Sequence, residues 1–163
     1  MDALIQIIAD GAVLPVMALG TYALIAKVPG NTRYDAYCRI LMAGLTTYLL
    51  AKLLGTIYQP AMERPFELMG VAPGAAYLDN PGFPSDHALF VAAITLAVWF
   101  ETKHKIITAI LLVFVALVCI GRVLALVHTP LDIIGGVAVA VIGAAWYLTP
   151  RYIAKRTKTK PSS

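Results

Sequence analysis

Long apolar segments dominate this chain and constrain its fold more than any other feature. Three of them, 3–28, 36–58 and 106–126, exceed the length of about 20 residues that a helix needs to cross a bilayer. A fourth, 131–148, is close to that length, and 87–100 is shorter, but a short helix can line a protein interior with a wet mouth. No strand-like alternation runs through these segments. We therefore predict an all-α, polytopic membrane helical bundle with about five transmembrane helices.

The composition agrees with a membrane protein, because 60% of the 163 residues are hydrophobic and only 13% are charged. The sequence predicts one transmembrane domain, 1–150, and a basic cytoplasmic tail, 151–163. The net charge of +4 is scattered between apolar segments, which argues against a nucleic-acid partner. Cys38 and Cys119 lie inside apolar segments without metal or disulfide spacing, so we interpret them as small buried hydrophobes. Asp10 is an acid within the first apolar segment, and the pattern assigns it no role.

Basic residues are distributed unevenly between the two ends of the predicted helices. Ten fall on one side, which the positive-inside rule assigns to the cytoplasm together with the C-terminus: Lys27, Arg33, Arg39, Lys103, Lys105, Arg151, Lys155, Arg156, Lys158 and Lys160. The opposite side has only Lys52, Arg64 and Arg122. A cation placed against this bias, near the end of an apolar helix, is unfavourable unless an anion offsets it. We therefore expect an anion site on the outer face of a cell membrane.

Further polar residues with suitable chemistry fall on the same predicted face: Ser85, Asp86, His87, His128 and Asp132. Three cations, the hydroxyl of Ser85 and two helix N-termini, near Ser85 and Thr129, can bind a phosphate or diphosphate. One histidine can act as nucleophile and the other as general acid. Asp132 follows His128 by four residues and can accept the imidazole N–H. This set suffices for phosphoryl transfer without a metal or cofactor.

Simpler structural roles compete for several of these residues. Ser85 and Asp86 precede an apolar run, as the N-cap and first turn of a helix do. Thr129, followed by a proline and then Asp132, has the pattern of a helix start. Arg64 precedes a proline and could belong to a simple turn. Helix capping leaves the two histidines and Arg122 unexplained.

The motifs resemble the three-part signature of the type 2 phosphatidic acid phosphatase superfamily. They read Lys52 with Arg64-Pro65, then Pro84-Ser85-Asp86-His87, then Gly121-Arg122 with His128 and Asp132. The resemblance covers residues 50–135 by motif. It implies that His128 attacks phosphorus to form a phosphohistidine, that Asp132 holds His128, and that His87 protonates the leaving oxygen. It also implies a substrate-binding set: Lys52, Arg64, Ser85, Asp86 and Arg122.

Three departures from the family pattern bear on these roles. Eleven residues separate Lys52 from Arg64, more than in the usual motif, so the intervening loop must fold back to bring the two together. Gly121 stands where the family usually has serine, which removes one possible hydrogen bond to phosphate. Asp86 stands where the family usually has glycine. The resulting Pro-Ser-Asp-His is similar to the motif of the bacitracin-resistance type of undecaprenyl-diphosphate phosphatase.

The resemblance therefore predicts a multi-pass phosphatase of the cell membrane, with its active site facing the exterior or periplasm. Its predicted reaction is hydrolysis of undecaprenyl diphosphate to undecaprenyl phosphate and phosphate. Phosphatidate and phosphatidylglycerophosphate phosphatases are alternatives, because the pattern does not separate lipid tails. A non-catalytic lipid-phosphate-binding membrane protein is the alternative of another class. The sequence leaves the oligomeric state open.

Overall fold

The computed structural model describes residues 3–59, 63–78 and 82–149, and these are helical without a strand. The predicted tail, 151–163, lies outside the described residues. The α-helices are α1 (Ala3–Gln6), α2 (Val13–Ala26), α3 (Arg33–Ile57), α4 (Pro65–Leu68), α5 (Asp86–Thr102), α6 (Lys105–Leu124) and α7 (Pro130–Gly143). A π-helix, Ile7–Gly11, joins α1 to α2, and 3-10 helices occupy Gly30–Thr32 and Ala144–Leu148. The all-α prediction is confirmed.

Four helical stretches of the described chain are long and apolar enough to cross a membrane: Ala3–Ala26, Gly30–Ile57, Lys105–Leu124 and Pro130–Leu148. The remaining long helix, α5, has 17 residues. It packs against α2, α3, α6 and α7, so it forms the centre of the bundle. A short helix is acceptable in this position, because neighbouring helices rather than lipid surround much of α5.

Small residues bring the helices into close contact, as is common in membrane bundles. A Cβ atom on Gly136 of α7 would lie 2.5 Å from the carbonyl oxygen of Ser85 and 3.0 Å from the amide nitrogen of Leu89. Gly143, further along α7, packs in the same way against Thr47 of α3. These contacts fix α7 against the start of α5 and the middle of α3.

A buried ion pair joins α3 to the C-terminal end of α5. Arg39 Nε and Nη2 donate to the two carboxylate oxygens of Glu101 at 2.7 and 2.6 Å, and both side chains are buried. The bidentate geometry is the strong form of this interaction. Arg39, which the charge pattern counts with the cytoplasmic cations, therefore also links two helices inside the bundle.

The loop between α3 and α5 folds back over the end of α6. The amide of Phe66 donates to the carbonyl of Leu126 at 3.1 Å, and the amide of Gly74 donates to that of Ala125 at 3.0 Å. The sequence predicts that this loop folds back to bring Arg64 and Lys52 together, and the structure adds the short helix α4. These backbone bonds hold residues 63–78 of the loop against the α6–α7 junction.

Candidate active site

Five of the predicted site residues line one small cavity at one end of the bundle. Its volume is about 30 Å³, and its walls are Arg64, Leu78, Pro84, Asp86, His87, Arg122 and His128. The two histidines come from the start of α5 and the α6–α7 junction, which are far apart in sequence. The fold thus brings two imidazoles and two guanidinium groups to a single cavity.

His128 lies in the short connection between α6 and α7. Leu126, two residues earlier, has a φ of 60°, an uncommon left-handed conformation for a residue with a side chain, which turns the chain back toward the bundle. His128 is 5% exposed. Its Nδ1 lies 3.6 Å from Oδ2 of Asp132, longer than a hydrogen bond, and has no hydrogen-bond partner among the described residues.

Asp132 caps the start of α7 and lies beside His128. Its Oδ2 accepts a hydrogen bond from the amide of Thr129 at 2.7 Å, and its own amide donates to Thr129 Oγ1 at 3.2 Å. This reciprocal pair is a capping box at the start of α7. The oxygen that caps the helix is also the one nearest His128. Capping therefore fixes the carboxylate beside the imidazole.

Burial lowers the pKa of His128 below its ordinary value. The nearby carboxylate of Asp132 raises this pKa, while the positive charges of Arg122 and Arg64 lower it again. The net direction is downward, because removing a cationic imidazole from water is unfavourable. His128 is thus neutral near pH 7, and a neutral ring keeps the nitrogen lone pair that a nucleophile needs.

Arg64 reaches the cavity because the loop folds back. Its Nη1 donates to the carbonyl of Val127 at 2.6 Å and its Nη2 to that of Leu78 at 3.0 Å. The guanidinium also lies 5.2 Å from the ring centroid of Tyr77. Its backbone amide donates to the carboxylate of Glu67 at 2.6 Å, at the start of α4. Arg64 is therefore both a turn residue and part of the cavity wall.

Arg122 is held by a residue that the sequence patterns missed. Its Nη1 donates to Oδ1 of Asp10 at 2.8 Å and to the carbonyl of Ala76 at 2.8 Å. Its side chain is 1% exposed, and its Nε has no hydrogen-bond partner among the described residues. The sequence did contain a signal for this contact. Asp10 is an acid inside an apolar segment, and such an acid needs a cation as its partner.

Ser85 and His87 belong to the start of α5. Ser85 is fully buried, and its Oγ accepts from the amide of Ala88 at 3.5 Å, as an N-cap does. Its own amide donates to the carbonyl of Asp132 at 2.9 Å, which joins the starts of α5 and α7. Ser85 is not among the residues lining the cavity, and its bond to phosphate stays a prediction.

A comparison with models of protein families adds independent information about this chain. The family model described as the PAP2 superfamily matches residues 36–157, which is most of the chain. The chain belongs to the PAP2 superfamily. Members are phosphatases that act on phosphate esters, often those of lipids, and the apolar helices fit a membrane protein of this kind. Searches of curated proteins and of solved structures found no match.

Lys52 lies outside the cavity that holds the two histidines. Lys52 is exposed and lines a neighbouring cavity of about 150 Å³, which shares Pro84 and Asp86 with the first. Its Nζ is 5.5 Å from the ring centroid of Tyr48. The loop therefore brings Arg64, but not Lys52, to the cavity that holds the histidines.

Metal binding is a separate question for the candidate site. In 3–59, 63–78 and 82–149, no group of three or more His, Cys, Asp or Glu side chains could hold a metal ion. The metal-free reaction predicted from the sequence stays a prediction, which a chelator can test.

Proposed function

We propose that this PAP2-superfamily chain hydrolyses undecaprenyl diphosphate to undecaprenyl phosphate and inorganic phosphate. The observation that carries the proposal is the single cavity lined by His87, His128, Arg64 and Arg122, at one end of a bundle of apolar helices. A lipid substrate keeps its tail in the bilayer while its phosphate enters such a cavity.

In this proposal the cations and helix ends bind the phosphate oxygens. Guanidinium groups match phosphate geometry and stay charged at any working pH. Arg64 and Arg122 supply two of them, and the starts of α5 and α7 add backbone N–H groups with the positive ends of their helix dipoles. Ser85 is the proposed hydroxyl donor. These groups also stabilise the charge that develops in the transition state.

Hydrolysis then proceeds in two steps. In the first, Nε2 of His128 forms a bond to the terminal phosphorus while the bond from phosphorus to the bridging oxygen breaks, and His87 gives its proton to that leaving oxygen. Asp132 accepts a hydrogen bond from Nδ1–H and stabilises the charged ring, since a contact that is long before substrate binds can tighten in the complex. In the second, His87 takes a proton from water, the water oxygen bonds to phosphorus, and the phosphorus–nitrogen bond breaks.

The second cavity favours a diphosphate over a monophosphate. It adjoins the first through Pro84 and Asp86, and Lys52 lines it. A terminal phosphate in the first cavity places the inner phosphate toward the second, where the ammonium group of Lys52 is available. The Pro-Ser-Asp-His motif supports the same substrate by its resemblance. Phosphatidate and phosphatidylglycerophosphate remain the competing substrates, because each ends in a phosphate monoester that the first cavity alone can bind.

The test is phosphate release by the purified full-length chain in detergent. Undecaprenyl diphosphate, phosphatidate and phosphatidylglycerophosphate are assayed with one preparation, with and without a chelator. We expect the highest kcat/KM for the diphosphate and no loss with the chelator. His128→Ala should abolish turnover while the lipid still binds. His104→Asn is the matched control, because His104 caps α6 at the opposite end of the bundle and asparagine can also cap a helix.

The outcomes separate the candidate functions. Equal and slow release by the wild type and His128→Ala, with lipid still bound, would support the non-catalytic binding protein instead. A preference for phosphatidate or phosphatidylglycerophosphate would keep the phosphatase and replace the substrate.

A further inference from the structure

We propose that Asp10 positions Arg122 for phosphate binding, so that the first apolar stretch, Ala3–Ala26, completes the anion site. Asp10 precedes the residues that match the family model, 36–157. The inference deepens the proposed function and rests on it for the identity of the anion. Asp10 is a positioning residue, because it acts through the guanidinium of Arg122.

Asp10 connects three separate parts of the chain at the cavity. Oδ1 accepts from Arg122 Nη1 at 2.8 Å, and Oδ2 accepts from the amide of Ala76 at 2.9 Å. The carbonyl of Ala76 accepts from the same Nη1 at 2.8 Å. The three groups form a closed network that joins the stretch Ala3–Ala26, the loop between α3 and α5, and α6. An arginine held this way keeps one orientation.

The network leaves the phosphate-binding capacity of Arg122 in place. Asp10 and Ala76 both engage Nη1, whereas Nε has no hydrogen-bond partner among the described residues. Arg122 lines the cavity and Asp10 does not. Asp10 lies behind the guanidinium, so it orients the cation without adding a second carboxylate to the cavity wall beside that of Asp86.

The local backbone of the first helix is adapted to this contact. Asp10 lies in the π-helix Ile7–Gly11, and π-helical turns are frequent at functional sites. A Cβ on Gly121 would lie 2.9 Å from both N and Cα of Ala9, so glycine at this position permits the approach. The serine usual in the family would collide with that backbone. The departure at Gly121 and the presence of Asp10 therefore have one structural explanation.

A double-mutant cycle on phosphate binding tests the inference without turnover. The full-length chain in detergent is titrated with inorganic phosphate, and the affinity is taken from the rise in unfolding temperature, with sodium chloride matching the ionic strength. We expect Asp10→Asn to weaken phosphate binding about 10- to 100-fold, by analogy with the loss of metal affinity when the outer partners of metal ligands are removed. Asp10→Glu should restore part of it. Asp35→Asn, the same change in the first turn of α3 at the other end of the bundle, should have no effect.

Coupling to Arg122 gives the decisive comparison. In an Arg122→Gln background, Asp10→Asn should cause no further loss of phosphate affinity. The inference would be overturned if Asp10→Asn caused the same loss of phosphate affinity in both backgrounds. It would also be overturned if Asp10→Asn alone left the affinity unchanged, or if the wild type did not bind phosphate. If Asp10→Asn does not fold, Gly121→Ser is the second variant that tests the same contact. It should weaken phosphate binding although it restores the family residue, and tighter binding would contradict the proposal.

Kinetics on undecaprenyl diphosphate distinguish this inference from the proposed function. If the wild type releases phosphate and Asp10→Asn does so with unchanged kcat and KM, the positioning role is wrong and the phosphatase stands. If the wild type binds inorganic phosphate with the expected coupling but releases none from the lipid, the phosphatase is wrong and the anion site stands.

Discussion

At the scale of single residues, the most informative group is the carboxylate of Asp132. One oxygen of this side chain caps α7 and lies 3.6 Å from Nδ1 of His128. A helix cap has little freedom to move, so the carboxylate is fixed before any substrate arrives. Preorganised groups of this kind need no rearrangement as charge develops. The cap that looks purely structural in the sequence thus has a proposed part in the chemistry.

The lowered pKa of His128 predicts the acid limb of the pH profile. A proton on His128 blocks its lone pair, so kcat/KM should fall as pH drops through a pKa below the ordinary value of about 6.5. Asp132 raises this pKa, so Asp132→Asn should move the limb to still lower pH while reducing the maximal rate. Rates of phosphate release across pH check both effects.

Asp132→Asn also shows whether the acid limb comes from protonation of the enzyme or of the substrate. Protonation of the substrate itself would place the limb at the same pH in both proteins. A limb that does not move in Asp132→Asn would therefore contradict the assignment to His128.

At the scale of elements, the contact between α5 and α7 sets the relation of the two histidines. His87 is in the first turn of α5, and His128 directly precedes the N-cap of α7. Gly136 allows the two helices to approach, and the amide of Ser85 ties their starts together. The spacing of the proposed acid and nucleophile therefore depends on a glycine outside the cavity.

Gly136→Ala should separate the helices and lower both stability and rate. The added Cβ would lie 2.5 Å from the Ser85 carbonyl, and overpacking of this kind typically costs about 1–3 kcal/mol of unfolding free energy. Misplacing a reacting group by about 1 Å can reduce the rate about 100-fold. Gly44→Ala is the control, because no atom lies within 4 Å of a Cβ there. Equal unfolding temperatures and kcat values for the two variants would refute the role of this contact.

The helices and the histidine motifs could be predicted from sequence, whereas the connections between them could not. Apolar length reports a membrane helix directly, and each motif lies beside a helix end. The motifs predict a loop that folds back toward Lys52, but the backbone carbonyls that hold 63–78 at the α6–α7 junction carry no side-chain signal. The contact of Asp10 with Arg122 joins residues 112 positions apart. Motif order likewise gives no measure of the separation between Lys52 and Arg64.

At the scale of the whole molecule, the two ends of the bundle have different roles. One end holds the cavity, and the other holds the ion pair of Arg39 and Glu101. The pair joins α3 to the central helix, so it stabilises the frame that carries the site without touching it.

Glu101→Gln should lower stability and leave the chemistry unchanged. It leaves the buried cation of Arg39 without its charged partner, a change that typically costs about 3–5 kcal/mol. We expect a lower unfolding temperature in detergent and an unaltered kcat/KM well below that temperature. Glu63→Gln removes an exposed acid and should change neither quantity. A loss of kcat/KM in the folded Glu101→Gln protein would show that the two ends are coupled.

The charge pattern also predicts the orientation of the molecule. Val71 lies at the end with the cavity and Lys103 follows α5 at the other end, and both are exposed. With Cys38 and Cys119 replaced by alanine, Val71→Cys should react with a membrane-impermeant maleimide on intact cells. Lys103→Cys should react only after permeabilisation. The reverse pattern would place the site in the cytoplasm.

The narrowness of the cavity has a consequence for the surrounding bilayer. Its volume is about 30 Å³, and Arg64 in its wall is bonded to backbone carbonyls on two sides. A terminal phosphoryl group carries one substituent, which can point out toward the membrane. A phosphodiester carries a second one, which would have to displace those bonds. The proposed mechanism therefore predicts that the abundant diester lipids around the protein are not hydrolysed.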